Sequence, residues 1–412
     1  MRSSRKSRTL RKWALPLAAA LLTAGAGPLM AKQNSCDEPI LIGTTISMSG
    51  PLATLTGNWD KMTNIFAEEI NKTGGVQVAS CGKKVPIKFV IYDDQGNPAT
   101  AVSLHERMAT VDNVDFFAGT DWTFVVMPVS TVAEKHKIPI IGGNVATPAA
   151  FERGLKYFWS TPFPMTFNWD ANYFDMLKNM DEKDRPKTMF WVTQDNPVYK
   201  SVRDIWTKKY QEIGIKVVGD ETFPNDLKDF SSIVLKIRSA RPDVIYINSF
   251  DNVAAPLLTQ LRQQRVRAKG VHFPIVSLEL GRQTKAVGGI EGITGVVGWI
   301  PGVKSEFADL MKTVLDKANV NVFESATVMP RFTSYLIMLQ AIEKAGAVDR
   351  EKVREALFKG TFKGPTAPVT FDEKGQPDTR TLITQNQDGN VVVVWPPNLS
   401  TGKLKWPAPS WQ

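Results

Sequence analysis

From Ile40 onward two rhythms of apolar and polar residues alternate along the chain. ILIGTTI at 40–46 is a short apolar run, the mark of a buried strand. The loop after it, from Ser47 to Asn58, is rich in Ser, Thr, Gly and Pro. Over 58–73 the apolar residues return at helical spacing, with Met62, Ile65, Phe66 and Ile70 on one face. Gly74-Gly75 stops that helix, and VPIKFVIY starts a second strand. The three pieces form a β-α-β unit, which implies a parallel sheet with helices covering its faces. In open α/β sheets the loops at strand carboxyl ends bind ligands, and the 47–58 loop is one of these.

The alternation continues to about residue 300. It predicts strands at Ile40–Ile46, Pro86–Tyr92, Val114–Ala118 and Ile138–Gly142. A second run follows at Lys187–Thr193, Ile215–Gly219, Asp243–Asn248, Phe273–Ser277 and Thr294–Trp299. Helices are predicted near 58–73, 98–112, 124–137, 168–180, 198–213, 228–240 and 252–267. Two successive runs of βα units imply two Rossmann-like lobes. The tail breaks the pattern, with helices at 304–318, 328–346 and 350–359 and then short strands at Pro368–Phe371, Thr381–Gln385 and Val391–Trp395. That order fits a chain that crosses back to the first lobe and then to the second.

Residues 1–31 stand apart. Arg2, Arg5, Lys6, Arg8, Arg11 and Lys12 precede an apolar run from Trp13 to Leu22, and small residues follow. This is the order of a secretory signal peptide, and its apolar run is too short to span a bilayer. Cleavage after Ala26 and cleavage after Ala31 both fit. The leader also changes the charge picture. The chain carries 50 basic and 41 acidic residues, a net +9. Without the six leader cations the balance is +3. Arg262, Arg265, Arg267 and Lys269 cluster at a predicted helix end, where cations complement the dipole. Nothing concentrates charge as nucleic-acid binding requires.

Cys36 and Cys81 each lie four residues before a predicted strand. Were those strands parallel neighbours, both sulfurs would sit at one sheet edge. Export to an oxidising compartment then favours a disulfide over two free thiols. Enzyme signatures are missing: His105, His136 and His272 have no metal spacing, and no Walker, H-E-x-x-H or G-x-S-x-G motif occurs. The glycines at 288–298 do not follow the dinucleotide-binding order. Neither catalytic residues, a cofactor nor a metal is expected.

Several segments carry a family resemblance: SGPLA at 49–53, EEINKTGGV at 68–76, YDDQGNP at 92–98, PVSTVAEKHKIPII at 128–141 and VTFDEKG at 369–375. In this order and spacing the chain resembles the periplasmic substrate-binding proteins of branched-chain amino acid ABC transporters over about 38–395. The resemblance implies the type I periplasmic binding fold, α/β with two Rossmann-like lobes on parallel sheets joined by three crossovers, near 161–166, 299–303 and 363–368. The lobes would be 37–162 plus 301–364 and 163–300 plus 365–412. Such proteins close their lobes on a solute and present it to a membrane permease, the ligand stabilising the closed state.

The resemblance also nominates residues. Thr123, after the third strand in AGTDWTF, takes the place of a hydroxyl that holds the ligand carboxylate, at a helix N-terminus whose free N–H groups favour an anion. A plain cap is the other reading. In GGNVATPAAF, Ala146 stands where a second hydroxyl is usual and Thr147 lies one residue later; Thr147 is preferred, with Asn144 to Ala146 offering backbone N–H groups. Tyr199 would close over the ligand or pack on a neighbouring helix. Phe250 matches a family aromatic, and Glu279, read as lying just beyond a strand, matches the partner of a ligand ammonium. Trp122 would narrow the pocket or stack on a planar ligand. Asp121 suits a carboxylate site only if it faces outward, and Arg331 would face either the hinge or solvent.

The first expectation is therefore a periplasmic protein that captures a branched-chain or other apolar L-amino acid and delivers it to an ABC permease. The alternatives are an aromatic carboxylate or small amide on the same scaffold, or a sensor lobe that passes ligand occupancy to a partner protein. Expected partners are the small-molecule ligand and the permease's transmembrane subunits, with no nucleic acid; the chain is expected to be a monomer.

Overall fold

The computed structural model describes residues 36–161, 170–323, 328–378 and 380–411. The expected leader lies outside them, as does most of the first expected crossover. Five strands build the first sheet: β1 (Ile40–Ile46), β2 (Ile87–Asp93), β3 (Phe116–Ala118), β4 (Ile140–Gly142) and β5 (Phe158–Ser160). Their order is β2-β1-β3-β4-β5, and every pairing is parallel. Successive strand side chains point to opposite faces. Accordingly Ile40, Ile42, Phe116 and Trp159 join one buried cluster, while Leu41, Phe117, Ile140 and Phe158 pack in another.

Helices cover both faces. On the first lie Trp59–Lys72 and Val328–Ala345, whose Phe66, Phe332 and Tyr335 share one cluster with β1. Phe66 sets its ring 5.0 Å from Phe332 and 5.3 Å from Tyr335. Burying a ring of this size contributes roughly 2–3 kcal/mol. On the second face lie Pro98–Thr110 and Thr123–His136, through Met108, Val125, Val126 and Val129.

The second sheet has seven strands: β6 (Thr188–Gln194), β7 (Lys216–Phe223), β8 (Val244–Asn248), β9 (Gly270–His272), β10 (Ile293–Val297), β11 (Leu382–Gln387) and β12 (Asn390–Trp395). The order is β12-β11-β10-β9-β8-β6-β7. Strands β6 to β10 run parallel to their neighbours, and β11 and β12 add an antiparallel hairpin at the β10 edge. Asp388 and Gly389, both at positive φ, make its turn, as a two-residue hairpin connection requires. Helices Ala308–Ala318 and Val328–Ala345 pack in the first sheet's cluster before the hairpin joins the second sheet, so the tail crosses back as its pattern implied.

The differences from expectation have local causes. Strand β9 ends at His272, and Phe273–Ser277 is irregular, not a strand. Pro274 has no N–H for a ladder, and Val276 N–H turns back to the Phe273 carbonyl. Ser277 then caps the helix Leu278–Gln283 by accepting from Leu280 N–H at 3.1 Å. Glu279 thus lies in a first helical turn, not just beyond a strand. The β5 strand, Phe158–Ser160, was not expected.

A small hairpin, Val76–Val78 with Lys83–Val85, separates the first helix from β2. Its turn carries Cys81, which is disulfide-bonded to Cys36 across 45 residues of sequence. Loop closure of this length stabilises by about 4 kcal/mol in the chain-entropy model. Cys36→Ser with Cys81→Ser is therefore expected to lose most of that amount in urea unfolding. A midpoint unchanged from the oxidised wild type would show that the bridge contributes nothing.

Candidate functional site

Both sheets reverse their strand order beside their first strand, between β1 and β3 and between β6 and β8. Such switch points open a crevice at the strand carboxyl ends. A cleft of about 1110 Å³ lies there, walled on one side by the 51–59 loop and Asn319–Asn321, and on the other by Gln194, Asn196, Asn225, Phe250, Val253, Glu279 and Gln283. Leu55 and Phe250, each 39% exposed, are large apolar side chains on opposite walls. Apolar surface exposed inside a concave site is what an apolar ligand or a closing movement would cover.

The YDDQGNP segment shapes the first wall. Asp93 Oδ1 accepts from the N–H groups of Met48 (2.9 Å), Ser49 (3.3 Å) and Gln95 (2.8 Å), and its Oδ2 accepts from the Ser49 hydroxyl at 2.6 Å. Asp94 Oδ1 accepts from the Ser47 hydroxyl at 2.7 Å. Asn97 caps the helix that Pro98 begins. Two carboxylates thereby fasten the start of the loop that leads into the cleft. On the second wall Gln194 Oε1 accepts from Phe250 N–H (2.8 Å) and the Ser249 hydroxyl (3.0 Å), and its Nε2 donates to Asn225 (2.7 Å).

The nominated residues fall into two groups. In the first, Thr123 opens the helix Thr123–His136, and its Oγ1 accepts from Ala146 N–H at 2.8 Å, tying the β3 loop to the β4 loop. Asn144 and Ala146 are buried, and Thr147 is half-buried at the start of a short 3-10 turn. Trp122 caps the Thr123 helix at φ 67°, a backbone region that costs a non-glycine residue about 1–3 kcal/mol. Its indole Nε1 is buried with no hydrogen-bond partner among the described residues. None of these five lines the large cleft.

The second group is Tyr199, Phe250 and Glu279. Phe250 and Glu279 line the cleft, whereas Tyr199 is buried behind Phe250 with the rings at 5.4 Å and 73°. Glu279 is half-exposed and already engaged by Arg282 at 2.7 Å and by Gln283 at 3.0 Å. Hydrogen bonds from Gln283 and Arg282 hold its carboxyl below the usual range.

Asp121 does not face outward and Arg331 does not face solvent: both side chains are 1% exposed and form an ion pair at 2.5 Å. Arg331 also donates to the Thr45 carbonyl (2.8 Å), the Tyr335 hydroxyl (2.8 Å) and Thr44 Oγ1 (3.3 Å), and its guanidinium lies 5.3 Å from the Trp59 ring. Trp59 lines the cleft, so the ion pair connects the β3 loop to one wall of the cleft. Burial pushes the Asp121 carboxyl up to about 7 against the pull of Arg331. Arg262 is likewise no solvated helix end; it donates to the Ser410 and Glu291 carbonyls and lies 3.7 Å from the Trp411 ring. Sequence reasoning missed Trp59, Gln194 and the Asp93–Asp94 pair. The adjacent carboxylates before Gln-Gly-Asn-Pro were the available signal, since such a pair at a strand end has N–H groups to accept from.

The family follows from comparison with known proteins. Residues 39–390 match the family model described as periplasmic binding protein. The chain belongs to this family. Among its relatives is the leucine-, isoleucine-, valine-, threonine- and alanine-binding protein of Pseudomonas aeruginosa, 26% identical over 363 residues, 87% of this chain and 91% of the relative. The fold is shared with the branched-chain amino acid transporter substrate-binding protein of Streptococcus pneumoniae solved with isoleucine. That structure gives a TM-score of 0.67 and 22% identity, covering 86% of this chain and 98% of the other. It is also shared with an ABC transporter solute-binding protein of R. palustris solved with 4-hydroxybenzoate, with TM-score 0.69 and 19% identity, covering 91% of this chain and 99% of the other. Among the described residues no helix is long and apolar enough to cross a membrane, and no group of His, Cys, Asp or Glu side chains is placed to hold a metal ion.

His105 supports the same sheet edge. It is wholly buried, with Nδ1 2.8 Å from the Ala101 carbonyl and Nε2 3.0 Å from Thr120 Oγ1. The neutral ring fits both partners, donating at Nδ1 and accepting at Nε2. Burial lowers its pKa from 6.5 to about 4, against the Ala101 carbonyl and Asp94. The unfolded chain therefore binds this proton first, and the stability present above about pH 6.5 is lost as pH falls towards 4, by roughly 3 kcal/mol. Urea unfolding across that window should show the loss, and His105→Asn should flatten it. The same slope in the variant would exclude His105 as its source.

Proposed function

We propose that the protein is a periplasmic binding protein that captures a small apolar L-amino acid between two lobes, 37–162 plus 301–364 and 163–300 plus 365–412, and delivers it to the transmembrane subunits of an ABC permease. It would reach the periplasm through the cleavable leader 1–31 and act as a monomer. The observation that carries this reading is the cleft at both switch points, with Leu55 and Phe250 exposed on opposite walls. The amino acid specificity named for the P. aeruginosa relative supports the ligand class.

In this reading the ligand carboxylate meets the first N–H groups of the Thr123–His136 helix, beside the Asn144–Thr147 loop whose Ala146 N–H is given to the Thr123 hydroxyl. The ligand ammonium meets Glu279, and its side chain lies against Phe250. Ligand contacts to both lobes stabilise a closed form that the open form lacks. Trp122 borders the anion-binding turn, and Tyr199 backs Phe250.

A second reading keeps the fold and the transport role but replaces the amino acid with an aromatic carboxylate. It is favoured by Glu279 already having Arg282 as a partner, by the Trp122 and Trp59 rings, and by the R. palustris neighbour bound to 4-hydroxybenzoate. A thermal-shift screen of the ligand-stripped protein separates the two, because a thousandfold excess over Kd stabilises by about 4 kcal/mol. A shift with Leu, Ile, Val or Phe is expected; a shift only with aromatic acids selects the second reading. Glu279→Gln should weaken an amino acid by a few kcal/mol and leave an aromatic acid unaffected. Thr123→Ala should weaken both, and indifference would remove the carboxylate from that helix end.

A further inference from the structure

We propose that Arg331 and Asp121 are positioning residues for the ligand site, holding the β3 and β4 loops in register with each other and with the end of β1. The inference rests on the proposed reading of these loops as the anion-binding side of the site.

The geometry carries it. Arg331 comes from a helix distant in sequence, and its guanidinium reaches three places at once: the Asp121 carboxylate, the β1 end at Thr44 and Thr45, and Tyr335. Asp121 precedes Trp122, the residue at φ 67°. Thr123 follows, fixed by Ala146 N–H. Strained backbone persists only where its surroundings over-determine it, and here an anchor lies on each side. The β4 loop lies against the same pair, with Gly143 N–H donating to the Thr120 carbonyl at 2.8 Å. A Cβ on Gly143 would stand 2.4 Å from Asp121 Oδ1 and 3.3 Å from Arg331 Cα, so only glycine lets this loop lie against the ion pair. The Thr161 hydroxyl meets the Gly143 carbonyl at 2.7 Å and the Pro330 carbonyl at 3.0 Å. The β4 loop, the start of the Arg331 helix and Thr161 therefore meet at one point.

A planar guanidinium suits this task better than an ammonium, since its fork fixes direction as well as charge. Neither residue touches the ligand in this account, so both would act through Trp122, Thr123 and the β4 loop.

Amide hydrogen exchange on the full-length protein tests positioning without any ligand. Asp121→Asn, Arg331→Lys and, as a steric perturbation that leaves both charges in place, Gly143→Ala are compared with wild type. Exchange over 119–126 and 142–148 is expected to rise at least about tenfold, while β2 and β6 stay close to wild type. A rise spread evenly over the first sheet, or none in the two loops, would overturn the proposal. With a ligand found by the thermal-shift screen, the same variants should bind about tenfold more weakly, and Arg331→Lys should keep more affinity than Arg331→Met. Loosened loops with unchanged affinity would overturn the role in binding. A protein that shifts with no amino acid or aromatic acid would instead overturn the proposed function, while the exchange pattern still decides whether the pair positions the loops.

Discussion

A guanidinium enclosed in protein must find a counter-charge and acceptors for its N–H groups, or the surrounding structure cannot form. Arg331 meets that demand with Asp121, Thr44, Thr45 and Tyr335. Tyr335 accepts from Arg331 and lies 2.9 Å from Thr63, whose hydroxyl in turn donates to the Trp59 carbonyl. These acceptors belong to β1, the β3 loop and the helix that carries Arg331 itself, and Tyr335 extends the network to the Trp59–Lys72 helix through Thr63. Satisfying one side chain thus sets four elements in register. Removing one partner of such a pair generally costs about 3–5 kcal/mol, because the other charge stays buried. That cost is large beside the total stability of a domain.

The site follows the logic of its scaffold. Parallel strands buried on both faces give rigid carboxyl ends, and the loops that leave them inherit that rigidity when carboxylates or amides pin them. Asp93 and Asp94 do so for the β1 loop, and Gln194 does so for the β8 loop. Each pin accepts backbone or hydroxyl hydrogens that would otherwise be left to solvent. The walls of the cleft can then differ in chemistry while keeping their shape.

Much of this was legible in the sequence because burial writes its period into the chain. Ile40–Ile46 and Val328 onward stand where the apolar rhythm put them. The family resemblance and the Cys36–Cys81 bridge were also legible. What was not legible depends on partners remote in sequence. Arg331 sits in a helix with apolar residues on nearly every side, where a lone cation reads as an interruption; its counter-charge is 210 residues away. Phe273–Ser277 has strand-like residues, yet Pro274 and the Ser277 cap redirect it into a helix. Tyr199 shows that a resemblance can place a residue near the right loop while burial decides whether its ring reaches the cleft.

The interleaving of the chain between the two sheets has a consequence for biogenesis. The first sheet is complete by Ser160, but one face is covered by the helix Val328–Ala345. The edge of β10 is capped by the hairpin that ends at Trp395. A polypeptide emerging amino end first must therefore carry an uncovered apolar face until 328–345 appear and an open strand edge until 382–395 do. Both are surfaces on which incomplete chains aggregate. The hairpin is the closing step for a sheet begun some two hundred residues earlier.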